Sequence, residues 1–122
     1  MNSEQKTGKS YRELLVWQKA IVASSEVYKL TKNFPKDEQF ALTSQIRRAV
    51  VSIAANIAEG YRRDGRKEFA HFLRIAHGSL TELETLITIS QEVAYCRAED
   101  CSTIEKQLDE IGRMLYSLRV KL

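Results

Sequence analysis

The stretch Leu42-Thr-Ser-Gln-Ile-Arg-Arg-Ala-Val-Val-Ser-Ile-Ala-Ala-Asn-Ile-Ala-Glu-Gly60 decides the fold. Leu42, Ile46, Ala49, Val50, Ile53 and Ile57 recur at intervals of three and four, which places them on one face of an α-helix. Phe40, Val51, Ala54 and Ala58 draw a second, smaller apolar line. Between the core line and solvent run Gln45, Arg48, Ser52, Asn56 and Glu59, a polar stripe down one side of the same helix. The spacing predicts a helix over residues 36–60. Asp37 and Glu38 stand in its first turn, where the helix dipole favours anions, and Gly60 is read as its C-terminal stop.

Working outward, the upstream segment is predicted helical over residues 13–33. Ser10-Tyr-Arg-Glu13 has the form of a capping box, and Phe34-Pro35 ends the run because a residue before proline is pushed out of helical geometry. Leu14, Trp17, Ile21 and Tyr28 form one apolar stripe; Val16, Ala20, Ala23, Val27, Leu30 and Phe34 form another. Together they cover an arc of roughly 200°, more than a single buried face requires. Downstream, a third helix opens after Asp64-Gly65, with Asp64 as N-cap, and runs to residue 94. Phe69, Leu73, Ala76, Leu80, Leu83 and Ile87 carry its core line, widened by Phe72, Ile75, Leu86, Ile89 and Val93. Gly78 in mid-helix costs on the order of 1 kcal/mol against alanine, so a close helix approach is expected there. The fourth helix, residues 98–120, shows Ile104, Leu108, Ile111, Leu115 and Leu118 in a 4-3-4-3 pattern. Short breaks between long helices predict an all-α, antiparallel up-down-up-down four-helix bundle.

The 122 residues suffice for one domain, placed at residues 11–122, with a disordered tail over residues 1–10. One proline and five glycines leave little for the turns of an all-β fold. Neither a membrane span nor a secretory signal is read in the chain, and two cysteines, Cys96 and Cys101, make no disulfide framework. Reduced thiols and a cytoplasmic location are the expectation.

Enzyme chemistry finds little footing. A di-iron carboxylate bundle needs two Glu-x-x-His motifs; Glu68-Phe-Ala-His71 is one, but His77 has Arg74 three residues before it. Gly60-Tyr-Arg-Arg-Asp-Gly65 has the glycine spacing of a P-loop without its Lys-Ser/Thr or its preceding strand. The expectation is a non-enzymatic protein with no catalytic residues, metal, cofactor or small-molecule substrate.

Charge is more informative. Nineteen Lys and Arg against sixteen Asp and Glu give only +3 overall. Residues 47–74, however, carry seven basic side chains (Arg47, Arg48, Arg62, Arg63, Arg66, Lys67, Arg74) against three acidic ones, whereas residues 82–122 carry five against eight. Arg62, Arg63, Arg66 and Lys67 are expected to stand together at one end of the bundle, as phosphate contacts, with Arg47, Arg48 and Arg74 contributing. Tyr61 beside them is a candidate for stacking on a base. The polar stripe is read as a structural network in which Arg48 and Glu59 compensate one another.

The runs Tyr11-Arg-Glu-Leu-Leu-Val-Trp-Gln-Lys-Ala20, Gln45-Ile-Arg-Arg-Ala49, Ser52-Ile-Ala-Ala-Asn-Ile-Ala-Glu-Gly60 and Ile75-Ala-His-Gly-Ser-Leu-Thr-Glu-Leu-Glu84 resemble the proteins encoded in 23S ribosomal RNA intervening sequences, once labelled ribosomal protein S23. The resemblance spans nearly the whole chain. It implies a bacterial, cytoplasmic homopentamer of four-helix bundles, similar in fold to the accessory variability protein of diversity-generating retroelements, which partners a reverse transcriptase and nucleic acid. Ala54 stands where family members commonly have proline, which implies a straighter second helix. The function expected is an oligomeric bundle binding RNA or DNA through its basic rim. The alternative is a scaffold or accessory factor that contacts protein rather than nucleic acid.

Overall fold

A computed structural model describes residues 10–122. The tail expected at residues 1–10 lies, apart from Ser10, outside the described residues. Four helices carry the chain: α1 (Leu15–Thr31), α2 (Leu42–Arg62), α3 (Arg66–Glu92) and α4 (Ala98–Val120). Single 3-10 turns at Tyr11–Glu13 and Lys36–Glu38 precede α1 and α2, and no strand occurs among the described residues. The arrangement is consistent with a four-helix bundle. α2 rests most extensively on α3; α1 lies close to α2 and α4, and α3 to α4, while the backbones of α1 and α3, and of α2 and α4, do not approach closely.

The core follows the periodicity. Val16, Ala20, Ala23 and Val27 come from α1, Ile46, Val50, Ile53 and Ile57 from α2, Phe69, Leu73, Ala76, Leu80, Leu83 and Ile87 from α3, and Ile104, Leu108, Ile111 and Leu115 from α4. Each large side chain fully buried in this way contributes about 1.5–3 kcal/mol. The other stripe of α1 behaves differently. Leu14 and Trp17 are half-buried against the core, while Ile21, Tyr28 and the neighbouring Leu15 and Val22 are exposed. The wide apolar arc is therefore only half covered within one chain.

Several local expectations are corrected. Ser10 does cap, accepting the Arg12 N–H at 3.1 Å, but it caps the isolated 3-10 turn; Leu14 then takes extended geometry and α1 begins at Leu15. α2 starts at Leu42 rather than residue 36, so Phe40 falls outside the helical register and is 90% exposed. Gly60 is not a stop. The helix continues to Arg62, and Gly60 is buried where a β-carbon would lie 2.6 Å from the Phe72 Cβ and 3.1 Å from the Phe69 ring. Gly78, where a close approach was expected, has nothing within 4 Å of its missing β-carbon. The N-cap of α3 is Gly65 rather than Asp64, with φ of +97°, a conformation that costs an L side chain strain. α2 runs uninterrupted through Ala54, itself buried against the core.

The α3–α4 connection buries Cys96 and Cys101 as free thiols with Sγ atoms 3.2 Å apart. Its Tyr95 hydroxyl donates to Glu38 at 2.7 Å, tying it to the α1–α2 connection, and Asp100 closes a capping box on Arg97 at the start of α4.

Candidate nucleic-acid interface

The α2–α3 turn carries the basic end. Arg62 and Arg63 close the helix below it, Arg66 and Lys67 open the next, and all four are exposed. They are not equivalent. Arg63 Nε donates to Glu59 Oε2 at 2.9 Å, and its guanidinium lies 5.1 Å from the Phe72 ring centre. Arg66 and Lys67 form no ion pair among the described residues, so their charges face water. Arg62 lies over the ring of Tyr11 at 5.5 Å.

The remaining predicted contributors stand apart. Arg74 is exposed but about 12 Å along α3 from Arg66, and Arg47 and Arg48 lie about 20 Å down α2 from Arg62, by the rise of a helix. Arg47 is occupied structurally. Its Nε donates to Thr31 Oγ1 at 2.9 Å, its Nη2 to the Tyr28 carbonyl at 3.4 Å, and its guanidinium sits 4.5 Å from the Tyr28 ring centre. A cation there complements the negative C-terminal end of α1. Tyr61 is not a surface aromatic: it is 5% exposed and meets Phe69 edge-on at 5.8 Å. Burial, and secondarily the Glu13 carboxylate, push its hydroxyl above the ordinary tyrosine range.

The polar stripe divides too. Asn56 Nδ2 donates to the Ser52 carbonyl at 2.8 Å and to Ser52 Oγ at 2.9 Å, and Ser52 shares a 2.8 Å hydrogen bond with Ser79 of α3. That is a real inter-helix network. Gln45, Arg48, Ser52, Ser79 and Glu82 line an open groove of about 550 Å³ beside it. Glu59 pairs with Arg63 one turn away, not with Arg48 three turns away.

Sequence reasoning passed over a neighbouring cluster. Tyr11 and Trp17 meet edge-on at 5.2 Å, and the Arg12 guanidinium lies 5.3 Å and 5.8 Å from their ring centres. The Tyr-Arg pair and the tryptophan six positions on were visible in the sequence. What was missing was the fold of the 3-10 turn onto the end of α2. On the metal question, Glu68 and His71 are both exposed, and His71 packs against Phe72. Among the described residues no group of three or more His, Cys, Asp or Glu side chains is placed to hold a metal ion.

Fold and surface together define a small all-helical bundle domain with exposed cations at one inter-helix turn. The sequence model of the 23S rRNA-intervening sequence protein family matches residues 12–117, and the chain belongs to that family. Among solved structures it is similar to a protein of unknown function from the S23 ribosomal protein family of Bacteroides thetaiotaomicron VPI-5482. The two are 27% identical with a TM-score of 0.77 over 86% of this chain and 98% of the other. No curated protein matches the chain. No described helix is long and apolar enough to cross a membrane.

Proposed function

We propose that this protein is a non-enzymatic, cytoplasmic RNA-binding bundle of up-down-up-down topology, assembled as a homopentamer and presenting the α2–α3 turn to the phosphate backbone. The observation that carries the reading is the pair Arg66 and Lys67, exposed and without ion pairs among the described residues, next to Arg62. Membership of a family named for a ribosomal RNA insertion supports RNA over other polyanions. Repetition around a ring multiplies a contact set that is small in one chain, and the uncovered stripe of α1 (Ile21, Val22, Tyr28) supplies apolar surface for subunit contacts.

The test is fluorescence anisotropy of a labelled structured RNA across a salt series, alongside light scattering of the free protein. Binding at low salt that falls linearly with the logarithm of salt, and weakens in Arg62→Ala and Arg66→Ala, is the expected result. Absence of binding at low salt overturns RNA recognition, and a 14.0 kDa particle at micromolar concentration overturns assembly.

A second reading, a protein-interaction scaffold or accessory factor such as a reverse transcriptase would use, has its own observation. Phe40 and Val51 project into an open groove of about 700 Å³ with Arg47 and Arg48, and the buried Thr43 Oγ1 lining it has no hydrogen-bond partner among the described residues. Recovery of one specific protein partner without nucleic acid, lost in Phe40→Ser, favours this reading.

A further inference from the structure

Tyr11, Arg12, Trp17 and Arg62 form a cluster that the bundle does not need for its core. Tyr11 and Trp17 are half-buried and packed against the core from its rim, so their rings are anchored while part of each faces solvent. The rings meet edge-on at 5.2 Å. Two guanidinium groups lie over Tyr11, Arg12 at 5.3 Å and Arg62 at 5.5 Å, and Arg12 also reaches Trp17 at 5.8 Å.

Three arginines of the chain are tied to carboxylates: Arg63 to Glu59, Arg97 to Asp100, Arg113 to Asp109. Arg47 and Arg119 lie over single tyrosine rings, Tyr28 and Tyr116, whereas among the described residues Tyr11 alone gathers two guanidinium groups. Arg12 and Arg62 are exposed and form no ion pair among the described residues; aromatic rings position them instead. A cation–π contact holds the guanidinium by its charge and leaves its N–H groups without a carboxylate acceptor. The turn itself is fixed, because Ser10 caps it and Gln18 Nε2 donates to the Arg12 carbonyl at 2.8 Å. Guanidinium groups laid over anchored aromatic rings are surfaces on which unstacked bases stack, with N–H groups left for the phosphates flanking them. A base inside a duplex presents no face to such a surface.

We propose that Tyr11, Arg12, Trp17 and Arg62 form a stacking platform for unpaired bases of single-stranded or looped RNA. This rests on the RNA-binding reading above and names the class of RNA that the basic end selects.

Trp17 is the only tryptophan in the chain, so its emission reports directly on the platform. The 122-residue protein is titrated with a single-stranded mixed-sequence oligoribonucleotide and with a blunt duplex of the same length. Anisotropy of a label on the RNA and Trp17 emission are followed together. The expected result is Trp17 quenching by the single strand and not by the duplex. Tyr11→Leu, which keeps apolar bulk but removes the ring, is expected to lower single-strand affinity about tenfold, the scale of one stacked base. Tyr11→Phe is expected to retain it, and Arg12→Gln to reduce it without loss of helical circular dichroism. Anisotropy change with both RNAs, equal in strength and without Trp17 quenching, overturns the platform while leaving the basic turn as the RNA site. No anisotropy change with either RNA overturns both readings.

Discussion

Gly60 and Phe72 mark a close approach of α2 and α3: a β-carbon on Gly60 would lie 2.6 Å from the Phe72 Cβ, closer than any relaxed contact. Ser52 and Ser79 share a hydrogen bond further along the same pair of helices, so the two positions fix its register. An apolar contact and a polar one thus clamp the interface that leads into the basic turn. Whatever presents Arg66 and Lys67 to a partner depends on this seam.

Gly60→Ala is expected to destabilise the fold by about 1–3 kcal/mol, the cost of forcing one methyl group into a packed interface. Gly78→Ala is expected to do the opposite. It lies on an exposed face with nothing within 4 Å, so alanine stabilises by up to about 1 kcal/mol through helix propensity. Urea denaturation of the two variants, read as opposite shifts of the midpoint at constant slope, checks both.

The outcome at these glycines shows what the sequence made legible. The four-residue and three-residue spacings of α4 located Ala98–Val120 without error, because that helix has one clean apolar face and short polar flanks. Gly60 was misread because a glycine near the end of an apolar run looks like a stop, and only its partner across the interface shows that it serves close approach. Tyr61 was misread by its charged neighbours, although it stands four residues after Ile57 and continues the core line. The charge run over residues 47–74 was contiguous in sequence but not in space, since a helix advances about 1.5 Å per residue and carries Arg47 away from the turn. Cation–π contacts leave no periodic signature, which is why Trp17 is read only as part of an apolar stripe and its cluster with Tyr11 and Arg12 is not legible.

The two cysteines are expected to be unreactive in the native state. Burial, followed by the hydrogen bond shared with Cys101, pushes the Cys96 thiol up to about 12, so it stays protonated near neutrality. Labelling with a soluble maleimide should be slow in native protein and fast in urea. Linkage gives the pH dependence. A thiol that holds its proton more tightly when folded contributes stability that is intact below its ordinary value of 9.0 and is lost as pH rises toward about 12. The urea midpoint should therefore fall across that alkaline window, and should fall less in Cys96→Ala. A native midpoint that is flat through the window refutes the assignment.

Asp100 predicts the opposite limb. The Arg97 backbone N–H, and then the Arg97 side chain, hold its carboxylate below the ordinary range. A depressed carboxylate contributes stability above its unfolded value and loses it as pH falls through the lower folded one. Asp100→Asn removes the charge from the first turn of α4, where it also meets the helix dipole. The variant should be less stable than the parent at neutral pH and should converge with it at acid pH. A difference independent of pH between neutrality and the acid limb refutes it.

The last prediction separates binding residues from structural ones within the original basic set. Arg66 and Lys67 make no ion pair among the described residues, so Arg66→Ala and Lys67→Ala should leave stability within about 0.5 kcal/mol of the parent. Each should instead reduce the salt slope of RNA binding by about 0.7–0.9, the release expected when one phosphate contact is lost. Arg47→Ala should behave in reverse. It strips two hydrogen bonds and a ring contact from the C-terminal end of α1 and leaves the Thr31 hydroxyl without that donor. Its effect should be a lowered urea midpoint with an unchanged salt slope. If Arg47→Ala changes the slope while Arg66→Ala does not, the RNA surface lies at the α1–α2 end rather than at the α2–α3 turn.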